Sequence, residues 1–152
     1  MVPPSPFMAK ALRMAQQAYQ QQEVPIGAVV VDYTTQTILA QAHNAVEARK
    51  DVTAHAEMLA IREAAARCGN KLLMHCDLYV TLEPCAMCAQ AIAHSRIRRV
   101  YFAASDPKSG GVLHGARVFE HPQCHHKPEL YHGIAEAQAA ELLQKFFASK
   151  RT

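Results

Sequence analysis

Short apolar runs alternate with longer stretches of strong helix formers, and this alternation limits the chain to few folds. Ala28 to Val31, "AVVV", is a β-branched run and reads as a buried strand. A turn near Thr34 to Gln36 leads to a second strand over Thr37 to Ala42, which makes a hairpin. "AHAEMLAIREAAARCGN" reads as a helix, with Met58, Ile61 and Ala65 on one face and Gly69-Asn70 as its stop. Asp77 to Leu82 then reads as a strand, Ala86 to His94 as a helix and Arg99 to Ala103 as a strand. Upstream, Met8, Leu12, Ala15 and Tyr19 form the face of an amphipathic helix that stops before Pro25 and Gly27. Ser105 to Gly115 reads as a loop. A last helix is expected from Ile134 to Ser149, with Ala135, Ala139, Leu142 and Phe146 as its buried stripe. Strands alternating with helices imply parallel pairs joined by crossovers, and the hairpin adds an antiparallel pair. The expected fold is α/β: one mixed sheet covered by helices on both faces. It would form a single domain over residues 1–152, with the proline-rich first six residues frayed.

Half of the residues are hydrophobic, enough for a core without disulfide staples. The five cysteines are odd in number and scattered, which fits a reducing cytoplasm with free or metal-bound thiols. A net charge of +3, with nine histidines uncounted, permits a nucleic-acid partner without arguing for one. No apolar run has the length of a membrane span and the N-terminus lacks a signal-peptide pattern, so no membrane partner is expected.

Two motifs carry chemistry. His55-Ala56-Glu57 opens one helix and Pro84-Cys85-Ala86-Met87-Cys88 opens the next. Helix N-termini carry partial positive charge, which stabilises thiolates and favours metal ligation. One histidine and two cysteines give zinc three ligands and leave a fourth position open, as in catalytic rather than structural sites. A carboxylate two residues from a ligand can take the proton of a water held there and deliver it elsewhere. Positions i and i+2 do not share a helix face, but in the first turn both side chains can lean toward the N-terminal end. Two other readings of the cysteines stay open: a redox pair, and a closed zinc knot of Cys85, Cys88, Cys124 and one of His121, His125 or His126. The knot needs a gap of 32 residues between Cys88 and His121, long for a zinc finger.

H-A-E followed by P-C-x-x-C is the pattern of zinc-dependent cytidine and adenosine deaminases. "VPIGAVVV", "TAHAEMLAIREA", "TLEPCAMCAQAIAHSRIRRVYFAASDPKSGG" and "HGIAEAQAAELLQKFF" closely resemble the bacterial tRNA adenosine deaminases, over about Met8 to Lys150. The resemblance implies a three-layer α/β/α sandwich with a mixed five-stranded sheet, a homodimer, and one Zn2+ per subunit held by His55, Cys85 and Cys88. It implies conversion of the wobble adenosine of an arginine tRNA anticodon stem-loop to inosine, with Glu57 as proton shuttle. It places Asn44 and the backbone of Ala56 against the purine, and Val24, Pro25 and Ile26 as an apolar wall. Asp106 and Lys108 resemble a loop that approaches the anticodon, and Phe146 and Phe147 an aromatic pair where the RNA loop packs, one of them in the core. Ser105 and Val52 depart from the family pattern, as does "CHHKPELYHG", and none of these is a zinc or shuttle position. Arg96, Arg98, Lys108, Lys145, Lys150 and Arg151 are candidate phosphate contacts. The rival functions are deamination of a free base or nucleotide, and a non-catalytic zinc-stabilised RNA-binding module.

Overall fold

The structure is a computed structural model that describes residues 5–150. The expected fraying of residues 1–4 lies outside the described residues, as does Arg151. Ser5 and Pro6, also expected to fray, instead open helix α1 (Pro6–Gln20): the Ser5 hydroxyl accepts the N–H groups of Phe7 and Met8.

Strand β1 (Gly27–Asp32) pairs antiparallel with β2 (Thr37–His43) and, on its other edge, with β3 (Cys76–Leu82). β3 pairs in parallel with β4 (Arg99–Ala104), and β4 in parallel with β5 (Glu129–His132). The order is β2-β1-β3-β4-β5, the mixed five-stranded sheet implied by the resemblance. β2 and β3 both run against β1, so they point the same way. Helices α3 (Ala56–Cys68) and α4 (Ala86–Ser95) follow them from the same end of the sheet.

Period-two alternation in the central strands separates the two faces. Ala28, Val30, Leu78, Val80, Val100 and Phe102 pack under α3 and α4. Val29, Val31, Tyr79 and Ala103 pack under α1 and α5 (Glu136–Ser149). The three layers follow from that division. α1 lies close on the start of β1: a Cβ on Gly27 would stand 2.0 Å from the Ala11 carbonyl oxygen.

Four elements depart from the sequence reading. β5 was expected as neither strand nor helix. Its Leu130 and Tyr131 give no apolar run, and the strand exists because it pairs with the edge of β4. A short helix α2 (Val46–Arg49) and a 3₁₀ turn (Val118–Glu120) occupy segments without periodicity. The last helix begins two residues later than expected, because Ala135 adopts φ +60° and breaks the backbone before it. Within its expected stripe Ala139 and Phe146 are buried, Leu142 is half-buried, and Ala135 precedes the helix.

Candidate active site

His55 and Cys85 occupy the same position on α3 and α4, the residue just before the first helical one. Both have extended backbones, ψ 153° and 175°. Their side chains therefore project from the N-terminal ends of two helices that start at one end of the sheet. Cys88 lies one turn into α4 and is fully buried. His55 Nδ1 stands 3.7 Å from Cys85 Sγ and 3.5 Å from Cys88 Sγ, and the three donor atoms lie within 4.8 Å of one another. A tetrahedral zinc with Zn–S of about 2.3 Å and Zn–N of about 2.0–2.1 Å requires an N-to-S edge of about 3.6 Å. Distances and donor types both fit that ion.

The charges of the three groups are interlocked. Contact with the Cys88 thiol, and next with His55, pulls the Cys85 thiol down to about 4 against the effect of burial. The same contact with Cys85, together with burial, pushes Cys88 up. The hydrogen bond to Cys85 raises His55. Among the described residues this is the one group of three or more histidine, cysteine or acidic side chains placed to hold a metal. The closed knot does not form: among the described residues the only donors grouped with Cys85 and Cys88 are those of His55, while Cys124 donates its thiol to the His126 carbonyl at 3.1 Å.

Glu57, in the first turn of α3, is 4 % exposed beside this donor set. Burial pushes its carboxyl up to about 7. A group poised there can both accept and return a proton near neutral pH.

The donor set opens onto a cleft of about 1360 Å³ lined by Val24, Ile26, Asn44, Asp106, Lys108, Phe146 and Phe147, among others. Asn44 is 5 % exposed. Its Nδ2 donates a long 3.4 Å hydrogen bond to the Val24 carbonyl, and its Oδ1 is buried with no partner among the described residues. Phe146 is buried against Tyr19, whereas Phe147 is 45 % exposed. Pro25 is buried behind the wall and is not part of the lining. Ala56 is buried in the core, with its amide among the N–H groups that a helix start leaves free of helical partners. Of the basic residues, Lys108 and Lys150 line the cleft. Arg98 is instead held bidentately by Asp77, and Lys145 pairs with Glu141.

Two buried acids were missed at the sequence level. Glu23 accepts the N–H groups of Glu47 and Ala48 at 3.0 and 2.7 Å, fixing α2 at the cleft wall. Glu83 gathers backbone N–H groups from the segment after β4. For Glu83 the available signal was an acid directly after an apolar strand, ahead of the Gly110-Gly111 pair; Glu23, which follows α1, carried none.

A mixed sheet that brings two helix starts together around a histidine, two cysteines and a buried glutamate defines a zinc-binding deaminase. The family model of the cytidine and deoxycytidylate deaminase zinc-binding region matches residues 2–104. The tRNA-specific adenosine deaminase of Agrobacterium fabrum is 50% identical over 95% of this chain and 94% of its own length. That of Aquifex aeolicus is 47% identical over 95% and 94%. A solved tRNA:A34 deaminase, studied for A-to-I editing at the wobble position of transfer RNA, superposes with a TM-score of 0.87. It is 50% identical and covers 90% of this chain and 98% of its own. The guanine deaminase of Nitrosomonas europaea shares the fold, with a TM-score of 0.79 at 22% identity over 97% and 87% of the two chains. The chain belongs to the tRNA-specific adenosine deaminases, within the cytidine and deoxycytidylate deaminase zinc-binding family.

Proposed function

We propose that this protein hydrolytically deaminates adenosine to inosine at the wobble position of an arginine tRNA anticodon, releasing ammonia. The observation that carries the reading is the His55–Cys85–Cys88 triangle with buried Glu57 beside it, at the floor of a cleft larger than one nucleoside needs. His55, Cys85 and Cys88 hold one Zn2+. When bound, the metal supplies Lewis-acid activation of a water, lowering its pKa from about 15.7 toward 7.

The remaining chemistry belongs to the chain. Glu57 takes the water's proton as the new C6–O bond forms and passes it to N1 of adenine. It then takes the remaining proton from the new C6 hydroxyl and delivers it to the N6 amine as the C6–N6 bond breaks and the C6=O bond forms. Water enters and ammonia leaves, with no other reactant. Asn44 offers its unpartnered Oδ1 and its Nδ2 to the purine edge, Val24 and Ile26 pack on the ring, and Phe147 offers an exposed face for a neighbouring base to stack. The target base must leave its stack to enter the cleft, which costs less in an anticodon loop than in a duplex. A homodimer in the cytoplasm completes the reading. No helix among the described residues is long and apolar enough to cross a membrane.

The reading is tested by incubating the zinc-loaded protein with an arginine anticodon stem-loop, free cytidine and free guanine, and measuring inosine and ammonia. Inosine from the stem-loop is expected. Turnover of only the free compounds would replace the reading with a free-base deaminase, and tight RNA binding without turnover would replace it with a binding module.

A further inference from the structure

Glu83 stands between the end of β3 and the turn that carries Cys85, yet neither the donor set nor the proton relay uses it. Its side chain is fully shielded from solvent. Oε1 accepts the Asp106 N–H at 3.0 Å and the His114 imidazole Nδ1–H at 2.8 Å. Oε2 accepts the N–H groups of Val112, Leu113 and His114 at 3.1, 2.9 and 3.1 Å. An ionised carboxylate has about four acceptor sites, and one loop fills them from both of its ends. The wrap is tight. A Cβ on Gly110 would lie 2.3 Å from Glu83 Oε2, and a Cβ on Gly111 would lie 2.4 Å from the Ala86 nitrogen at the start of α4.

Lys108 and Ser109 sit between the two anchored ends and, with Asp106, line the cleft. Gly110, Gly111 and Gly115 leave the second half of this segment little intrinsic preference for one backbone path. Asp106 closes a local turn, its Oδ1 accepting the Ser109 N–H at 3.0 Å and its carbonyl the Gly110 N–H at 2.8 Å, and the group that fixes where this turn sits is a carboxylate two residues from Cys85. Hydrogen bonds to an ionised acceptor are roughly twice as strong as neutral ones, which suits this carboxylate to the task.

We infer that Glu83 is a positioning residue for RNA capture: by clamping residues 106–114 it holds the Asp106–Lys108–Ser109 rim at a fixed place relative to the metal-binding turn. This rests on the tRNA reading above. The rim carries an exposed lysine suited to a phosphate, and phosphate contacts set register and orientation rather than the chemistry at the base. Loosening the clamp therefore raises KM for the stem-loop and spares kcat.

The test compares zinc-loaded full-length wild type with E83Q and H114A. The second variant removes a single donor and decides the matter alone if E83Q fails to fold. Zinc per chain, amide hydrogen exchange over residues 106–114, and kcat and KM on the anticodon stem-loop are measured. The expected result is wild-type zinc content, faster exchange of the residue 112–114 amides, and a KM raised about tenfold in E83Q and about threefold in H114A, with kcat within about twofold. A fall in kcat at unchanged KM, or zinc loss from both variants, overturns the inference. If wild type itself turns over no stem-loop, the function reading fails, and stem-loop binding by anisotropy then judges the clamp. Weaker binding by the variants sustains it and equal binding overturns it.

Discussion

Replacing Asn44 by alanine should stabilise the protein and cripple it together. Asn44 Oδ1 is a buried acceptor without a partner among the described residues, and leaving such a group unpaired costs about 1–3 kcal/mol. The low end, about 1 kcal/mol, applies because the group borders an open cleft. Against this gain, Asn44→Ala loses the Nδ2 hydrogen bond to the Val24 carbonyl, a contact whose 3.4 Å length marks it as weak, about 0.5 kcal/mol. That carbonyl keeps the Ile26 N–H at 2.8 Å and is not orphaned. The net is a stabilisation of about 0.5 kcal/mol, and a chain of this length converts it to a rise of about 1–2 °C in Tm. Scanning calorimetry of zinc-loaded wild type and variant reads the shift. On the proposed reading, this oxygen takes its partner from the substrate. Its removal should therefore lower kcat/KM on the stem-loop roughly a hundredfold, about 2.7 kcal/mol. A Tm that falls by several degrees would mean that Oδ1 is already satisfied within the folded protein. Unchanged kcat/KM would remove Asn44 from base recognition.

Glu57→Gln should keep zinc at the wild-type level by elemental analysis while losing about 10²- to 10⁴-fold in deamination, and near-normal inosine formation would sink the proton-relay assignment. Gly27→Ala should cost about 3 kcal/mol or more, since its Cβ would meet the backbone of α1 at 2.0 Å (Ala11 O) and 2.6 Å (Ala15 N), where no side chain can rotate away. Urea unfolding with an unchanged midpoint would contradict that packing. The Thr53 hydroxyl and N–H hold Asp51 below its ordinary value of 3.8, so the stabilisation they confer is present above that value and is lost as pH falls through the lower, folded one. Wild type should therefore exceed Thr53→Val in urea midpoint at pH 7, and the gap should close as pH falls below 3.8 and through the lower, folded value. A gap that persists in acid would show that Thr53 acts by some other contact.

What could be read from the chain divides by the range of the interaction that fixes it. The central strands were legible because Val29, Val30, Leu78, Val80 and Phe102 are apolar on whichever face they reach, and both faces are covered. α3 and α4 were legible from helix formers and, for α3, from the Gly69 stop, which adopts φ +65°. β5 was not, because Glu129 to His132 has no pattern of its own and takes its conformation from the partner strand. The start of α5 was misplaced because nothing local marks Ala135 for a left-handed backbone. Glu23 and Glu83 escaped for a related reason: each is buried by what the chain brings to it 23 or more residues later.

The donor set falls on the legible side, and helix-start geometry says why. At the start of a helix, the side chain of the capping residue reaches toward the third helical residue, as in a capping box. Cys85 is that capping residue and Cys88 the third helical one, so C-x-x-C at a helix start brings two sulfurs together with no help from the rest of the fold. The Cys88 N–H adds to the pull on the Cys85 charge from the same position. His55 occupies the capping position of α3, which puts Glu57 at the second helical residue, in the turn that still faces the helix end. Each motif thus builds half of the site within a few residues, and the sheet's only task is to bring two helix starts to one end. The Asp106–Lys108–Ser109 rim differs: Asp106 closes its turn locally, but the place of that turn in the fold is not set locally. Its placement depends on a carboxylate that precedes it by 23 residues at one anchor and 31 at the other, which is why the donor set could be read from local motifs and the group that anchors the rim could not.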